Sequence, residues 1–363
     1  MSFFAQTGSP WNRTWADGII DGTPSLIWAS SHLGQVWNFF VVTALDVNAH
    51  RAMRLTSYLL GILYLAACAI LASTLERRGQ VPFFLVASVS PITVFLHGAE
   101  EVGFYPAPVL MLALALHRRW PVLEGGRRIA VFALPGIAAA LHGVGLFFLP
   151  GVVLLDVLER VRVGTAGVGG ALRDATVRGL GVTLTFFGPA GALFIAYVVL
   201  FRHVSIFPGD AGGGSQGGVI MLPFQSFPAR TIAGVDYRAY AFFSPEHLLD
   251  VLATAAMGAP AFCLLLGLLP LLHRPVWAVV RRELGRWSLA LAGLLYALIA
   301  YTGAGLTATI FLLVPVLSLL QVMSLVAFFS VDTRPWTRSL PLLLLPTLTA
   351  TAFVWSRQAA GVL

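Results

Sequence analysis

The sequence predicts an all-α polytopic membrane protein of about nine to eleven transmembrane helices with an outer-face loop region. Three observations carry that expectation. The first is composition: 58% of residues are hydrophobic, 11% are charged, and the mean hydropathy is +0.83. A soluble domain carries roughly 25% charged residues. The second is that long apolar runs recur along the chain, divided by short polar turns. The third is the basic charge, which is all arginine: 23 Arg and no Lys. These arginines are spread over the short loops, so the net charge of +7 reads as a topology signal and not as a phosphate-binding patch, and no nucleic acid is expected as a partner. Cys68 and Cys263 both sit in apolar runs and read as small hydrophobes, not as a disulfide or metal pair. The Ala/Gly/Leu-rich, lysine-free composition points to a GC-rich bacterial genome and so to a bacterial inner membrane.

Residues 1–53 are mixed polar, aromatic and glycine-rich, and form an outer N-terminal loop region. Within it Leu33–Leu45 is apolar but too short to span, which predicts an interfacial or re-entrant helix. Residues 54–363 form the multi-pass transmembrane domain. Its candidate spans are Leu55–Leu75, Val81–Leu96, Tyr105–Leu116, Ile129–Leu141, Val144–Leu155, Gly179–Phe201, Leu249–Leu272, Leu289–Tyr301, Leu306–Phe329 and Leu340–Trp355. Ile129–Leu155 reads either as one long kinked helix or as two short ones meeting at His142-Gly143. Residues 202–248 form a long outer loop whose middle, Gly209–Gly218, is flexible by composition.

Orientation follows from the arginines. Arg77 and Arg78, then Arg118, Arg119, Arg127 and Arg128, then Arg160, Arg162, Arg173 and Arg178 fall in alternate loops. Arg274, Arg281, Arg282 and Arg286, and finally Arg334 and Arg338, continue the pattern. The rich loops are cytoplasmic by the positive-inside rule. The alternation works only if Ile129–Leu155 makes two passes with His142 at the outer tip, and it leaves both termini outside. Met1 is not followed by a basic and then an apolar stretch, so no signal peptide is visible. An outer N-terminus without one leads to the expectation that a first spanning helix is missing from this chain.

The polar chemistry then collects on the outer side. It includes Asp17, Asp21, His32, His97, Glu100, Glu101, Tyr105, His142, Arg238, Glu246 and His247. Charged groups are costly in hydrocarbon, so such residues belong at the water boundary or in a polar cavity. The centre of the pattern is His97–Tyr105, where two carboxylates, a histidine and a tyrosine are held between two apolar runs. Carboxylates and histidines on one face suit a general base, metal ligands or proton carriers. Each has a plainer reading. His97–Tyr105 is also what a solvated helix–helix turn looks like. Ser244-Pro245-Glu246 is also a good helix start, with Glu246 complementing the dipole. His142 would also serve to bond a backbone carbonyl freed by Gly143 or Pro135. The acids of the opposite side (Glu76, Glu124, Asp156, Glu159, Asp174 and Glu283) read as ordinary interface charges.

Taken together, Ser31-His32-Leu33, Ser90-Pro91 leading to Glu101 and Tyr105, His142 through Pro150, and Phe243–Leu249 resemble the GT-C superfamily of membrane glycosyltransferases, especially bacterial protein O-mannosyltransferase-like members. The resemblance is one of scattered pattern over most of residues 17–272. It implies a GT-C-like fold and transfer of a sugar from a polyprenyl-phosphate carrier to an acceptor on the outer side of the membrane. It implies an acidic residue of the first outer loop as base or metal ligand, which only Asp17 and Asp21 are placed to match. Glu100 and Glu101 match the second acidic motif. His32, His97, Tyr105, His142, Arg238, Glu246 and His247 are then the substrate-binding candidates. Arg238, or Arg51 and Arg54 beside the first span, suits the carrier phosphate. A divalent metal is compatible with the acidic oxygens, and the resemblance leaves its use open. The chain departs from the pattern in the missing first helix and in the absence of a clear two-acid motif around Asp17 and Asp21. Two other classes stay in play: a transporter or lipid flippase using His142 and the Glu100–Glu101 pair, and a non-catalytic GT-C relative. Transporters commonly show internal repeats and midplane charges; neither is visible here.

Overall fold

The fold is that of a computed structural model, which describes residues 37, 41, 44–47, 49–90, 93, 105–120, 125–141, 145, 148–164, 166–201, 230–232, 235–237, 267–300, 306–331 and 336–359. In chain order the helices are α1 (Ala49–Ala72), α2 (Arg77–Ser88), α3 (Pro106–Arg119), α4 (Gly125–Leu141), α5 (Leu149–Val163) and α6 (Val168–Phe201). After them come α7 (Val276–Arg282), α8 (Leu284–Ala300), α9 (Leu306–Val331) and α10 (Trp336–Ala359), with a 3₁₀ turn at Leu269–Leu272 before α7. The described residues are helical apart from one antiparallel hairpin, β1 (Arg230–Ile232) with β2 (Val235–Tyr237), in the long loop. Its register pairs Thr231 with Asp236.

The apolar core runs through the bundle. Tyr64, Cys68 and Leu71 of α1, Phe83 and Val86 of α2, and Leu110, Met111 and Leu114 of α3 pack with Leu319, Val322 and Val326 of α9. From Val316 to Phe329, α9 is buried or nearly so on every face. A helix buried on every face belongs inside a bundle, and α9 packs against α1, α2, α3, α7 and α8. Among the described residues, Arg51–Ala72 is long and apolar enough to cross a membrane, while Val131–Leu141, Pro315–Val331 and Pro341–Ala352 are shorter apolar helices.

Close helix contacts use small residues, as membrane bundles do. Gly151 of α5 lies against the backbone of α8. A Cβ there would stand 2.7 Å from Leu289 Cα and from the Ser288 carbonyl oxygen. The Ser288 hydroxyl donates to the Gly151 carbonyl across the same contact at 2.9 Å. Gly151→Ala is therefore expected to force the two backbones apart and to cost about 1–3 kcal/mol. Denaturation of the purified variant in micelles measures it, and stability equal to wild type would contradict the close approach. In α4 the proline at position 135 weakens the preceding turn. Thr183 of α6 donates at 3.2 Å to the Phe132 carbonyl, one residue on from the carbonyl that Pro135 leaves without its helical donor.

The arginine-rich ends of the helices meet on one face. Arg118, at the end of α3, pairs with Glu283 and donates to Thr74, just past α1, at 2.9 Å and to Ser330 of α9 at 3.2 Å. Glu283 also faces Arg286 at 3.3 Å. Arg286 reaches Glu159 of α5 at 3.7 Å, and Glu159 accepts from Arg162 at 2.7 Å. Arg160 connects Asp156, at 3.0 Å, to Asp174 near the start of α6, at 3.5 Å. Helices α1, α3, α5 and α9 thus end on this face, and α6 and α8 begin there. This is the alternation that the arginine pattern predicts. Ile129–Leu155 is divided between two separate helices, α4 and α5.

Candidate functional site

The opposite face is defined by the start of α1, the end of α2, the start of α3, the end of α4 and the start of α5. Three of these ends meet at a small buried cluster. Met53 of α1 and Tyr105, the residue capping the start of α3, are 2% and 1% exposed and pack together with Leu60 and with Leu141, the last residue of α4. Pro106 follows Tyr105 at the first turn of α3, where a missing N–H leaves no intrahelical bond unmade. The Trp37 indole donates to the Thr56 hydroxyl of α1 at 3.0 Å, and Thr56 in turn donates to the Ala52 carbonyl at 3.0 Å. Residues 37, 41, 44 and 45 are helical and Val41 is buried; the rest of Leu33–Leu45 lies outside the described residues.

Of the residues singled out from the sequence, the described residues include Tyr105, packed among helix ends, and the carrier-phosphate candidates Arg51 and Arg54. Asp17, Asp21, His32, His97, Glu100, Glu101, His142, Arg238, Glu246 and His247 lie outside the described residues. Their chain neighbours are informative. Residues 91–104, which carry His97, Glu100 and Glu101, connect Ser90 to Tyr105. Residues 142–144 follow Leu141 directly. The chain therefore leaves for both segments from the face on which Tyr105, Met53 and Leu141 pack. Arg51 and Arg54 occupy the first two turns of α1 on that face, and α1 has no acid in its first turn. A helix start is its positive end, so the helix itself does not favour cations there. No three His, Cys, Asp or Glu side chains cluster as metal ligands among the described residues.

The ion-pair network of the other face is what sequence reading passed over. Glu159 and Glu283, read as ordinary interface charges, have side chains only 5% and 6% exposed. Arg118 and Arg286 are equally enclosed, at 8% and 7%. His117 falls just past the apolar run Tyr105–Leu116. Burial, reinforced by the charges of Arg286 and Arg162, pushes its imidazole down to about 3, so it is neutral within the network. Burial also lowers Arg118, against the opposing pull of Glu283. Buried opposite charges paired in this way hold elements in register.

No protein-family model matches the chain, and no curated protein matches it. Solved structures do. The chain is similar to ArnT from Cupriavidus metallidurans in its apo state, with a TM-score of 0.57 at 16% identity over 91% of this chain. It is similar to the same protein bound to undecaprenyl phosphate, with a TM-score of 0.55 at 17% identity over 90% of this chain. In both cases it spans only 56% of the length of that protein. The likeness is one of fold, and nothing in it singles out the O-mannosyltransferase branch.

Proposed function

We propose that this chain is a GT-C-type glycosyltransferase that takes a sugar from a polyprenyl-phosphate carrier and passes it to an acceptor on the outer side of a bacterial inner membrane. The observation that carries the reading is the junction of Met53, Tyr105 and Leu141. It gathers on one face the chain ends that lead into the Glu100–Glu101 segment and into His142, beside Arg51 and Arg54. The fold supports it by analogy only, since one fold hosts many functions. The analogy is specific in one respect: a protein of this fold has been seen bound to undecaprenyl phosphate.

In this reading Arg51 and Arg54 hold the carrier phosphate through charge-assisted hydrogen bonds. A carboxylate, Glu100 or Glu101 or an acid of the first outer segment (Asp17 or Asp21), takes the proton of the acceptor hydroxyl as it attacks the anomeric carbon. The carrier phosphate leaves with the electron pair of the broken bond. His32, His97, His142, Arg238, Glu246 and His247 complete the substrate contacts, and Tyr105 positions the Glu100–Glu101 segment. The same acids offer oxygen donors of the type a divalent metal takes.

Binding of undecaprenyl phosphate to the purified full-length chain tests the phosphate assignment. Arg51→Ala and Arg54→Ala are each expected to weaken binding about tenfold, the worth of one charge-assisted hydrogen bond. Arg173→Ala, on the opposite face, is expected to leave it unchanged. Unaltered affinity in both of the first two variants would remove the phosphate site from this face.

A further inference from the structure

The 3₁₀ turn Leu269–Leu272 and the short helix α7 form a continuous element on the arginine-rich face. Its inner side is apolar and fixed: Val276, Val279 and Val280 are 0%, 2% and 9% exposed and belong to the main core, packed on α9. The His273 ring sits against Phe328 of α9, with ring centroids 5.7 Å apart. Its outer side is different. Leu272 is 78% exposed and Trp277 48% exposed, and Arg274, Arg281 and Arg282 are exposed beside them. The next acid in the chain, Glu283, is 5% exposed and is held by Arg118 and Arg286, so it does not balance these charges. The Trp277 indole N–H donates to the Leu271 carbonyl at 2.8 Å, which ties the ring back along the turn.

We infer that this element is a docking surface for the anionic headgroups of the adjacent lipid leaflet. An exposed tryptophan and leucine flanked by three unbalanced arginines is the composition of a segment that lies in a membrane interface. Its position fits, because it abuts the ion-pair network that marks the level at which the helices end. Charge complementarity selects the partner: each arginine near an anionic leaflet enriches acidic lipid about fivefold over neutral lipid. The surface does not depend on sugar transfer, and a transporter with this fold would carry it equally.

The test uses the full chain in nanodiscs of defined lipid, read by tryptophan fluorescence. The signal lost in Trp277→Phe isolates the contribution of that ring. Brominated phosphatidylglycerol is expected to quench this contribution at least about twofold more than the same fraction of brominated phosphatidylcholine. Raised salt is expected to remove the preference in the unmodified chain, so the result does not rest on a variant folding. Arg274→Gln/Arg281→Gln/Arg282→Gln is expected to remove it at low salt. Equal quenching by the two lipids in the unmodified chain overturns the headgroup assignment. Absence of quenching by either overturns the lipid contact itself and leaves the face to water or to an acidic protein.

Discussion

Replacing Glu283 by alanine is expected to lower the unfolding free energy by about 3–5 kcal/mol, the cost of stranding a buried charge. Two guanidiniums depend on this carboxylate. Arg118 is paired with it, and Arg286 lies 3.3 Å from it. With the carboxylate gone, the partners Arg118 keeps among the described residues are neutral, the hydroxyls of Thr74 and Ser330. Arg286 keeps Glu159 at 3.7 Å, which is longer than a good hydrogen bond. Neither arginine can shed its proton at ordinary pH, so both stay charged in a poorly hydrated place. The double substitution Arg118→Met/Glu283→Leu removes charge in balance and is expected to recover most of the loss. Denaturant titration of both variants in the same detergent measures the difference. Equal stability of Glu283→Ala and wild type would show that the pair is hydrated and contributes nothing. Failure of the double substitution to recover stability would show that shape, and not charge balance, governs the site.

That network also shows what a sequence can and cannot reveal here. The apolar runs and the arginine alternation were legible because each is local. A span is read from consecutive residues, and a loop from the arginines within it. Helix limits were less so. α6 begins at Val168 and not at Gly179, because Arg173 and Arg178 end the apolar run while their long stems let the helix continue past it. α2 stops at Ser88, short of the apolar run that reaches Leu96, and Pro91 supplies the reason: the residue before a proline is driven out of the helical region. The Arg118–Glu283 pair was not legible at all, since its partners lie 165 positions apart. A charge between Arg282 and Arg286 looks like any loop acid until the fold brings Arg118 to it. For the candidate site, the sequence supplied residue types and a side. The fold adds where α1, α3 and α4 meet, at Met53, Tyr105 and Leu141. The acids themselves lie outside the described residues, so their roles rest on function and not on geometry.

Their removal should therefore show directly in transfer. Asp21→Ala and Glu101→Ala are each expected to abolish sugar transfer, with a loss of about 10²–10⁴-fold for the residue that acts as general base. Expression in the membrane and carrier binding are expected to persist, because the substitution removes a proton acceptor and leaves the apolar runs and the carrier-phosphate arginines unchanged. The conservative change Glu101→Gln separates two roles. A carboxylate that takes a proton is lost fully in the amide, and kcat falls while KM holds. A carboxylate that only bonds a sugar hydroxyl is replaced in part, and KM rises instead. The acid limb of the rate against pH gives an independent readout, since it belongs to the base and disappears with it. Comparison with Arg54→Ala completes the assignment: that variant is expected to lose carrier affinity and to recover rate at saturating carrier. Full transfer in both Asp21→Ala and Glu101→Ala would remove catalysis from these segments, and a carrier affinity that survived it would then point to a protein that binds the lipid without acting on it.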